Sequence, residues 1–358
     1  MQIKDLLFDA RPKKKLVRGN VVYFLFVTLC FFLVVFSGCA TNPKSSDLEF
    51  QSVWPKPPEK PRIKWLKNWY HVFDLQRQSK LMDFMLGDQS TLQLDRPSDV
   101  VADSKGNVYA VDQLFRAVFV FDVEKKKLRL LGEGLLSAPI GLAIDNKKGR
   151  LFVSDTKAAQ VLVLDVNSGD VLMTIGAPKV DFSNPTGMVY DEERGKLYVS
   201  DTKHNVVRVF NSEGLPVSTI GKKGRGDGEF YYPSFLALDR EGQLYVVDSF
   251  NFRVQIFDAN GTFVNKFGKL GDALGNLSRP AGIGVDSENH IYVVDSSFNN
   301  FQIFDPSGKL LLFVGTAGRK PGQFALPLGM YIDKNDRLYI SDTFNHRIQV
   351  FQYLKETK

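Results

Sequence analysis

One motif recurs six times after residue 96, and it constrains the fold more than any other feature of the chain. Aligned on an aspartate, successive copies are 43, 46, 47, 47 and 47 residues apart. The aligned aspartates are Asp112, Asp155, Asp201, Asp248, Asp295 and Asp342. A proline opens each copy, and an aromatic residue stands three positions before each aspartate. A period in the forties, made of short strands, is typical of a β-propeller. The sequence therefore predicts an all-β fold, a six-bladed β-propeller.

The fifth copy shows how each blade is built. Its β-branched and aromatic runs Ile283–Val285, Ile291–Val294, Phe301–Phe304 and Leu310–Val314 are separated by turn residues, which predicts four strands per blade. Aspartates recur at the turns of every copy, where a carboxylate accepts bonds from turn amides. We therefore expect these aspartates to shape turns and not to catalyse a reaction.

Two copies also carry a specific family pattern. Tyr245–Phe257 and Tyr339–Phe351 resemble the NHL repeat, which has a proline-opened strand, a "YVVDS"-type strand and an "N-x-R-[IV]-x-x-F" strand. The first three copies are looser, with Gln160 and Val206 at the position of Arg253. The resemblance spans about 255 residues and implies four-stranded NHL-type blades. It implies no single activity, because such propellers include RNA binders, lyases, adhesion modules and bacterial lipoproteins.

The sixth copy is too short for a fourth strand, because only 16 residues follow Asp342. A propeller must close to avoid exposed sheet edges, so we expect the N-terminal side to supply the strand. Ile63–Trp69 alternates with a period of two and is our choice, with a short helix over Leu81–Leu86. The alternative closing strand is Phe84–Gly87, whose distance to Pro97 matches the other linkers.

The N-terminus has the order of parts of a secretion signal. A basic stretch, 13–18, precedes the apolar run Val21–Phe36, which ends at Ser-Gly-Cys39. That ending resembles the bacterial lipobox, with Phe36 in place of the usual leucine, and implies lipidation of Cys39. The alternative is an uncleaved signal anchor. Both place the body outside the cytoplasm, and Ala40 after the cysteine favours the outer membrane, facing the periplasm or the cell surface, by resemblance to lipoprotein sorting.

These patterns give the expected organisation. A proline-rich tether prefers extended conformations and has little apolar surface to bury. The predicted segments are a signal peptide at 1–38, a tether at 39–61, a closing strand and helix at 62–95, and repeats at 96–138, 139–184, 185–232, 233–279, 280–326 and 327–358.

Charge and cysteine content exclude several functions. The net charge of +6 lies mostly in the first 38 residues, and the remainder holds 40 Lys/Arg against 38 Asp/Glu. Nucleic-acid binding needs many cationic contacts on one surface, so we expect no nucleic-acid partner. Two cysteines cannot form a four-cysteine metal site or a disulfide framework. We expect a monomer.

The predicted inner strands offer little chemistry. By resemblance, lyases of this family hold a metal on the central axis with histidines from the inner strands. Here only Asp99 could ligate strongly, and the histidines lie elsewhere, at His71, His204, His290 and His346. We therefore expect no catalytic residue, metal or cofactor. The alternative is a divergent metal-dependent lyase or lactonase that uses Asp99 and an ion in the central channel.

One face of the predicted propeller is the candidate binding surface. Interblade loops and the loops between second and third strands share that face, and aromatic residues and arginine are enriched in recognition surfaces. Its candidate residues are Phe115, Lys222, Lys223, Arg225, Phe230, Tyr231, Tyr232, Phe250, Phe298, Arg319, Lys320 and Phe344. A plainer interpretation is that several of these rings pack between blades. We expect a non-enzymatic scaffold that recognises an envelope protein or glycan through this face.

Overall fold

A computed structural model describes residues 52–71, 74 and 92–355. Two strands come before the repeats: β1 (Val53–Trp54) and β2 (Ile63–Trp69). Blade 1 contains β3 (Pro97–Ala102), β4 (Val108–Asp112), β5 (Ala117–Asp122) and β6 (Lys127–Leu131). Blade 2 contains β7 (Pro139–Asp145), β8 (Arg150–Asp155), β9 (Gln160–Asp165) and β10 (Val171–Gly176). Blade 3 contains β11 (Pro185–Asp191), β12 (Lys196–Asp201), β13 (Val206–Asn211) and β14 (Pro216–Ile220).

The second half repeats the plan. Blade 4 contains β15 (Pro233–Leu238), β16 (Leu244–Asp248), β17 (Arg253–Phe257) and β18 (Phe263–Phe267). Blade 5 contains β19 (Pro280–Val285), β20 (Ile291–Asp295), β21 (Asn300–Phe304) and β22 (Leu310–Val314). The short strands β23 (Thr316–Ala317) and β24 (Gln323–Phe324) lead to blade 6, which contains β25 (Pro327–Ile332), β26 (Arg337–Asp342) and β27 (Arg347–Tyr353). Blades 1 to 5 are antiparallel sheets in chain order, and in blade 6 the strands β25, β26 and β27 are followed by β2 and β1 from the N-terminal side. The six-bladed, four-stranded prediction is confirmed.

The repeated proline and aspartate occupy one register in every blade. Pro97 pairs with Asp112 in blade 1, and Pro327 pairs with Asp342 in blade 6. An irregularity in the ladder follows the proline each time, and proline cannot donate a ladder hydrogen bond. The proline therefore marks the start of each inner strand.

The N-terminal closing strand is also confirmed. β2 pairs with β27 from Ile63 opposite Tyr353 to Trp69 opposite Ile348, which makes it the outer strand of blade 6. Trp69 is buried and lies 5.2 Å from the ring of Phe121 in blade 1. The helix predicted over 81–86 and the alternative strand at 84–87 lie outside the described residues.

One part of the predicted tether instead belongs to the propeller. β1 adds a fifth strand to blade 6 by pairing with β2. The indole of Trp54 packs edge-on against Phe351 at 5.9 Å and fills the space above Gly322, where a Cβ atom would clash with it. Val53–Trp54, inside the predicted tether of 39–61, is therefore a strand of blade 6, because half-buried Trp54 anchors a proline-rich segment that composition alone would leave solvated.

The hydrophobic core lies between the blades. Six clusters of buried apolar side chains are present among the described residues, and each joins two neighbouring blades. Between blades 5 and 6, for example, Tyr292 and Phe301 pack with Ile340 and Phe351. Blades therefore stabilise one another, and closure of the ring completes the last cluster.

Hydroxyl groups add a polar link between neighbouring blades. The residue after the repeat aspartate donates a side-chain hydrogen bond to the carbonyl of the next blade's first proline. The pairs are Thr202 with Pro233, Ser249 with Pro280, Ser296 with Pro327 and Thr343 with Pro97. The last pair joins the two ends of the ring.

Candidate functional site

The propeller has two chemically different faces. The loop face carries the interblade loops and the loops between second and third strands. The turn face carries the turns between first and second strands and between third and fourth strands. The strand register places the repeat aspartates at the loop face, as in the pair Pro97 and Asp112.

The repeat aspartates hold the loop backbone, as predicted. The Asp112 carboxylate accepts hydrogen bonds from the amides of Asp95 and Arg96 at 2.7 and 2.8 Å and from Leu114 at 2.9 Å. Asp342 accepts a 2.8 Å bond from the Ala325 amide. A buried carboxylate that accepts bonds from several amides fixes the chain around it. These aspartates therefore position the loops that surround them.

The loops that enter blades 4, 5 and 6 share one architecture. In the first, Lys223 and Phe230 form a parallel bridge, and the Phe230 ring is fully buried beneath Gly221, which has a φ of 82°. Leu277 and Phe324 occupy the equivalent buried positions in the other two loops. Phe230 therefore anchors the loop, and its prediction as a surface residue was wrong. In this loop, the residues between the bridged pair Lys223 and Phe230 lie at the surface.

Buried arginines fix two of these loops from below. Arg347 donates to Asp342 at 2.7 Å and to the carbonyls of Arg319, Lys320 and Gln323 at 2.9, 3.2 and 2.8 Å. Burial raises the pKa of the Asp342 carboxyl, and the Arg347 guanidinium opposes that change. The arginine of the NHL pattern therefore supports the loop from inside the blade.

Arg253 does the same in blade 4. It donates to Asp248 at 2.8 Å and to the carbonyls of Arg225, Gly226 and Glu229 at 2.8 to 2.9 Å. The loops that carry Arg225 and Arg319 are thus built alike and held in a fixed conformation.

Blade 3 has a similar arginine–aspartate contact, made by an arginine at a different position in the strand. Val206 stands at the arginine position, but Arg208, two residues later, donates to Asp201 at 2.9 Å and to the Asp181 carbonyl at 2.9 Å. The third copy departs from the NHL pattern in sequence and keeps its arginine–aspartate pair in space. A search for arginine at either of two same-facing strand positions would have found it.

Three predicted aromatic residues meet on the loop face. The ring of Phe250 lies 4.7 Å from Tyr232 and 5.7 Å from Tyr231, and the two tyrosine rings are 5.3 Å apart. Phe250 is 53% exposed, and the tyrosines are half-buried. Lys223 Nζ lies 5.9 Å from the Tyr231 ring. The cluster therefore offers apolar area next to a cation, in a geometry that favours cation–π contact.

The other predicted residues are distributed around the same face. Phe115 and Phe344 are exposed, and Phe298 is half-buried. Arg225, Arg319 and Lys320 are exposed, and Lys222 is exposed with Nζ 3.4 Å from the Glu229 carboxylate. Phe115 also packs edge-on against Phe119 at 5.1 Å, so its ring contributes to blade packing as well as to the surface.

Sequence reasoning missed the leucines of this face. Leu114, Leu135, Leu270 and Leu274 are all at least half exposed and lie in loop-face loops. Leucine carries no recognition signal on its own, so only the loop positions could have revealed them. Together with the exposed phenylalanines they form an interrupted apolar ring around the face, which is typical of an interaction surface.

Among the residues that the structure describes, cations outnumber carboxylates at the solvent-accessible positions of the loop face. The exposed cations are Arg96, Arg116, Lys157, Lys179, Lys203, Lys222, Lys223, Arg225, Lys269, Arg279, Arg319 and Lys320. The accessible carboxylates are Asp74, Asp95, Glu133, Asp181, Asp227, Glu229 and Asp272. The chain is nearly neutral beyond its N-terminus, but this face is positive and the turn face carries the compensating carboxylates.

The inner strands nearly close the central axis. Gly141, Gly187, Gly282 and Gly329 occupy one position in four blades, and a Cβ atom at any of them would clash with the next blade. Blades 1 and 4, which face each other across the ring, carry Asp99 and Phe235 at that position.

The Asp99 side chain reaches the neighbouring blade. Its Oδ2 accepts a 2.9 Å bond from the Leu142 amide, and its Oδ1 accepts one from Val100 at 2.9 Å. Burial raises the pKa of Asp99 to about 7, and the two backbone hydrogen bonds oppose that change. The carboxyl therefore ties blade 1 to blade 2 and also remains partly protonated near neutral pH.

A cavity of about 550 Å³ opens at the axis on the turn face. We call it the cup. Asp99 and Phe235 belong to its lining, together with the ends of all six inner strands. The sequence suggested at this axis only the alternative of an ion beside Asp99, because the lining residues come from six separate repeats.

The described residues contain no group of three or more His, Cys, Asp or Glu side chains arranged to hold a metal ion. Two of the described histidines instead pair with single carboxylates: His204 Nδ1 lies 2.7 Å from Asp201, and His290 Nδ1 lies 2.9 Å from Asp286. His346 Nδ1 lies 2.5 Å from the backbone carbonyl of Asp95. The Asp286 contact raises the pKa of His290. Nor does any helix within the described ranges have the length and apolar character needed to cross a membrane.

Comparison with known families agrees with this architecture. Residues 188–266 match a family described as 6-bladed beta-propeller. Residues 277–304 and 324–351 match the NHL repeat, and the second range contains Arg347 and the repeat aspartate Asp342.

Individual relatives are distant. The chain is 31% identical over 81 residues to "Uncharacterized protein YncE" of Escherichia coli O157:H7, which covers 22% of this chain and 23% of that protein. It therefore spans less than a quarter of that relative's length.

Two solved structures share the fold at low sequence identity. An auxiliary nutrient binding protein from Bacteroides thetaiotaomicron VPI-5482 has a TM-score of 0.57 at 17% identity, over 73% of this chain and 70% of that chain. Virginiamycin B lyase from Staphylococcus aureus has a TM-score of 0.52 at 16% identity, over 73% and 85%. The chain is therefore a six-bladed β-propeller that carries NHL repeats.

Proposed function

We propose that this propeller is a non-enzymatic binding module that recognises an acidic protein of the bacterial envelope through its loop face. The observation that carries the proposal is the rigid display of apolar and cationic groups on one face. Arg253 and Arg347 fix the loop backbones, so the exposed cations between their anchor residues are already positioned. A surface that is ordered before binding loses less conformational entropy when a partner binds.

The composition of the face favours a protein partner. Leu270 and Leu274 are 62% and 58% exposed, and Phe250 and Phe344 are both 53% exposed. Such groups gain from burial against an apolar surface, at about 25 cal/mol per Å². The surrounding cations complement carboxylates and would accelerate association with an acidic partner. An acidic glycan complements the charges but offers less apolar surface to the leucines.

The proposed location follows from the N-terminal pattern. Cys39 would carry the lipid, and the chain up to Ser52 would tether the propeller to the outer membrane. The loop face would then be available to other envelope components. The solved relatives include a nutrient-binding protein and a lyase, so this fold supports both binding and catalysis.

Charge reversal on the loop face tests the proposal. Arg319→Glu combined with Lys320→Glu changes two exposed side chains whose backbone carbonyls, not their cationic groups, hold the loop in place. We expect the variant to fold and to recover less of the envelope partner, through slower association. Asp258→Lys on the turn face is the control and should leave recovery unchanged.

Two other outcomes would change this conclusion. Equal recovery by the charge-reversed chain, with loss in the Asp258→Lys chain, would place the partner on the turn face. Recovery of a glycan, abolished by glycosidase, would replace the protein partner with a glycan. Phe344→Ala should also reduce recovery, and its thermal stability must be checked because the ring borders the blade.

A second candidate function has one observation in its favour. A buried carboxyl with a pKa raised to about 7, lining a cavity, is a feature of acid–base sites. This would suit a divergent lyase or lactonase with an ion in the channel. Both Asp99 oxygens already accept backbone hydrogen bonds, which favours a structural role. Stoichiometric calcium or zinc in the purified protein would support the enzymatic function. A protein that holds no metal after reconstitution would argue against that function.

A further inference from the structure

We propose that the cup on the turn face binds a small organic cation with an apolar body. This site is separate from the loop face and does not depend on the function proposed for that face. The cup has the size of a small-molecule site, because ligand pockets occupy roughly 300 to 1,000 Å³ and this cavity measures about 550 Å³.

About half of the wall of the cup is apolar. Half-buried side chains at the ends of the inner strands leave part of their apolar surface facing the cavity. They are Val189, Tyr190, Phe235, Leu238, Val285, Tyr331 and Ile332. Such a lining favours a hydrocarbon or aromatic body, because water gains few hydrogen bonds there.

Two tyrosines give the walls a polar and aromatic character. The Tyr190 hydroxyl accepts a 3.2 Å bond from Arg150 and its ring stacks on Phe152 at 5.1 Å, so it is held in place. The Tyr331 hydroxyl makes no hydrogen bond to another of the described side chains or backbone groups, although the ring packs against two core clusters. A fixed hydroxyl without a partner is available to a ligand, and both rings can contact a cation.

The charged residues of the lining favour a cationic ligand. The carboxylates of the lining are Asp99, Asp103, Asp191, Glu192, Glu193, Asp239, Asp286, Asp333 and Asp336, and its cations are Lys105, Arg194, Arg240, Lys334 and Arg337. The carboxylates are mostly buried or half-buried near the wall, whereas all five cations are exposed at the mouth. A concave site lined by an excess of one sign concentrates ligands of the opposite sign.

The floor adds one further acceptor. Asp99 uses one acceptor position on each oxygen for a backbone amide, and an ionised carboxylate has about four such positions. Four of the other five blades have glycine here, so the carboxylate is a particular feature of blade 1. An ammonium group bound in the cup would offset the free-energy cost of burying the negative charge of the Asp99 carboxylate.

Three probes that share one apolar group and differ in charge test whether the cup prefers a cation. Binding of 4-phenylbutylamine, 4-phenylbutanol and 4-phenylbutyrate to the purified full-length chain is measured at pH 8 by calorimetry. We expect the amine to bind about fivefold or more tightly than the alcohol, which is the ratio that one modest charge pair supplies. The butyrate should bind weakest.

Two kinds of variant locate the binding. Leu238→Trp fills the cup and should abolish amine binding, and Val285→Trp serves the same purpose if the first variant does not fold. Glu192→Gln with Glu193→Gln should reduce the preference for the amine over the alcohol and leave alcohol binding unchanged. Glu213→Gln, an exposed turn-face position outside the cup lining, is the matched control and should keep the preference.

Each remaining result overturns the proposal. Equal or tighter binding of the butyrate would show that the excess of carboxylates does not select the ligand. Binding that survives both a folded Leu238→Trp and a folded Val285→Trp chain would place the probe elsewhere. Failure of all three probes to bind at millimolar concentration would remove the cup as a site of this class.

Discussion

Thr343 in the last blade donates a 2.8 Å hydrogen bond from Oγ1 to the carbonyl of Pro97, the residue that opens the first blade. Both residues are buried. Together with the β2–β27 pairing, this contact joins the two ends of a ring whose core lies between blades. The ring is therefore closed both by strand pairing and by a side-chain hydrogen bond.

Removing this contact should weaken the whole domain. Thr343→Val keeps the shape of the side chain and leaves the Pro97 carbonyl without its donor, at a cost of about 1 to 3 kcal/mol. Chemical denaturation measures the free energy of unfolding. Thr219→Val, on an exposed outer strand, is the control and should change it by less than about 0.5 kcal/mol. Equal effects of the two substitutions would contradict the closing role.

Arg347 should support both the fold and the loop above it. Arg347→Met removes bonds to Asp342 and to three loop carbonyls and leaves a buried carboxylate unpaired, so we expect a loss of about 3 to 5 kcal/mol. Amide hydrogen exchange over 315–324 should rise more than exchange in blade 2. Arg337→Met changes an exposed arginine and should alter neither the free energy of unfolding nor the amide exchange of residues 315–324. Uniform exchange across the domain would argue against local support of the loop.

Asp99 gives the protein a pH-dependent stability. Its pKa is raised from 3.8 to about 7 in the folded protein, so the folded state keeps a proton that the unfolded state releases between pH 4 and 7. Stability from this group therefore falls as pH rises through that window, by at most about 1.4 kcal/mol per pH unit. Asp99→Asn should flatten this part of the profile, whatever its effect at one pH. Parallel profiles for the two proteins, measured by denaturation at pH 4.5 and 8, would refute the prediction.

The anchor at Cys39 can be tested separately from the propeller. Cys39→Ser should abolish labelling by a fatty-acid analogue and leave the unprocessed precursor. Cys30→Ser, in the apolar run, should keep the label. Labelling that survives Cys39→Ser would exclude this residue as the lipidation site.

The fold was predictable because its determinants repeat. The proline and aspartate registers, the four strands of each blade and the closing strand Ile63–Trp69 all follow from periodic patterns in the sequence. Trp54 was not predictable, because one indole in a proline-rich segment has no periodic signal. Its role depends on the space above Gly322, which exists only after blades 5 and 6 have packed.

The candidate sites were predictable only in part. Strand order predicted the loop-face positions of Phe250, Phe344 and the cations, and their part in binding stays a prediction. Phe230 was misassigned because its burial depends on a loop that turns back over Gly221. The cup was not predicted, since it is formed by the ends of six inner strands. Asp99 was noticed as a lone acid, but its contact with Leu142 joins residues from different blades.

Photo-crosslinking in intact cells tests the central claim, recognition through the loop face, most directly. A photoreactive amino acid replaces Phe250 on the loop face or, as the control, Asn260 in an exposed turn of the turn face. We predict a discrete protein adduct from position 250, lost when Arg319→Glu and Lys320→Glu are added, and no such adduct from position 260. An adduct from position 260 alone, or one from position 250 that survives the charge reversal at full yield, would contradict the account.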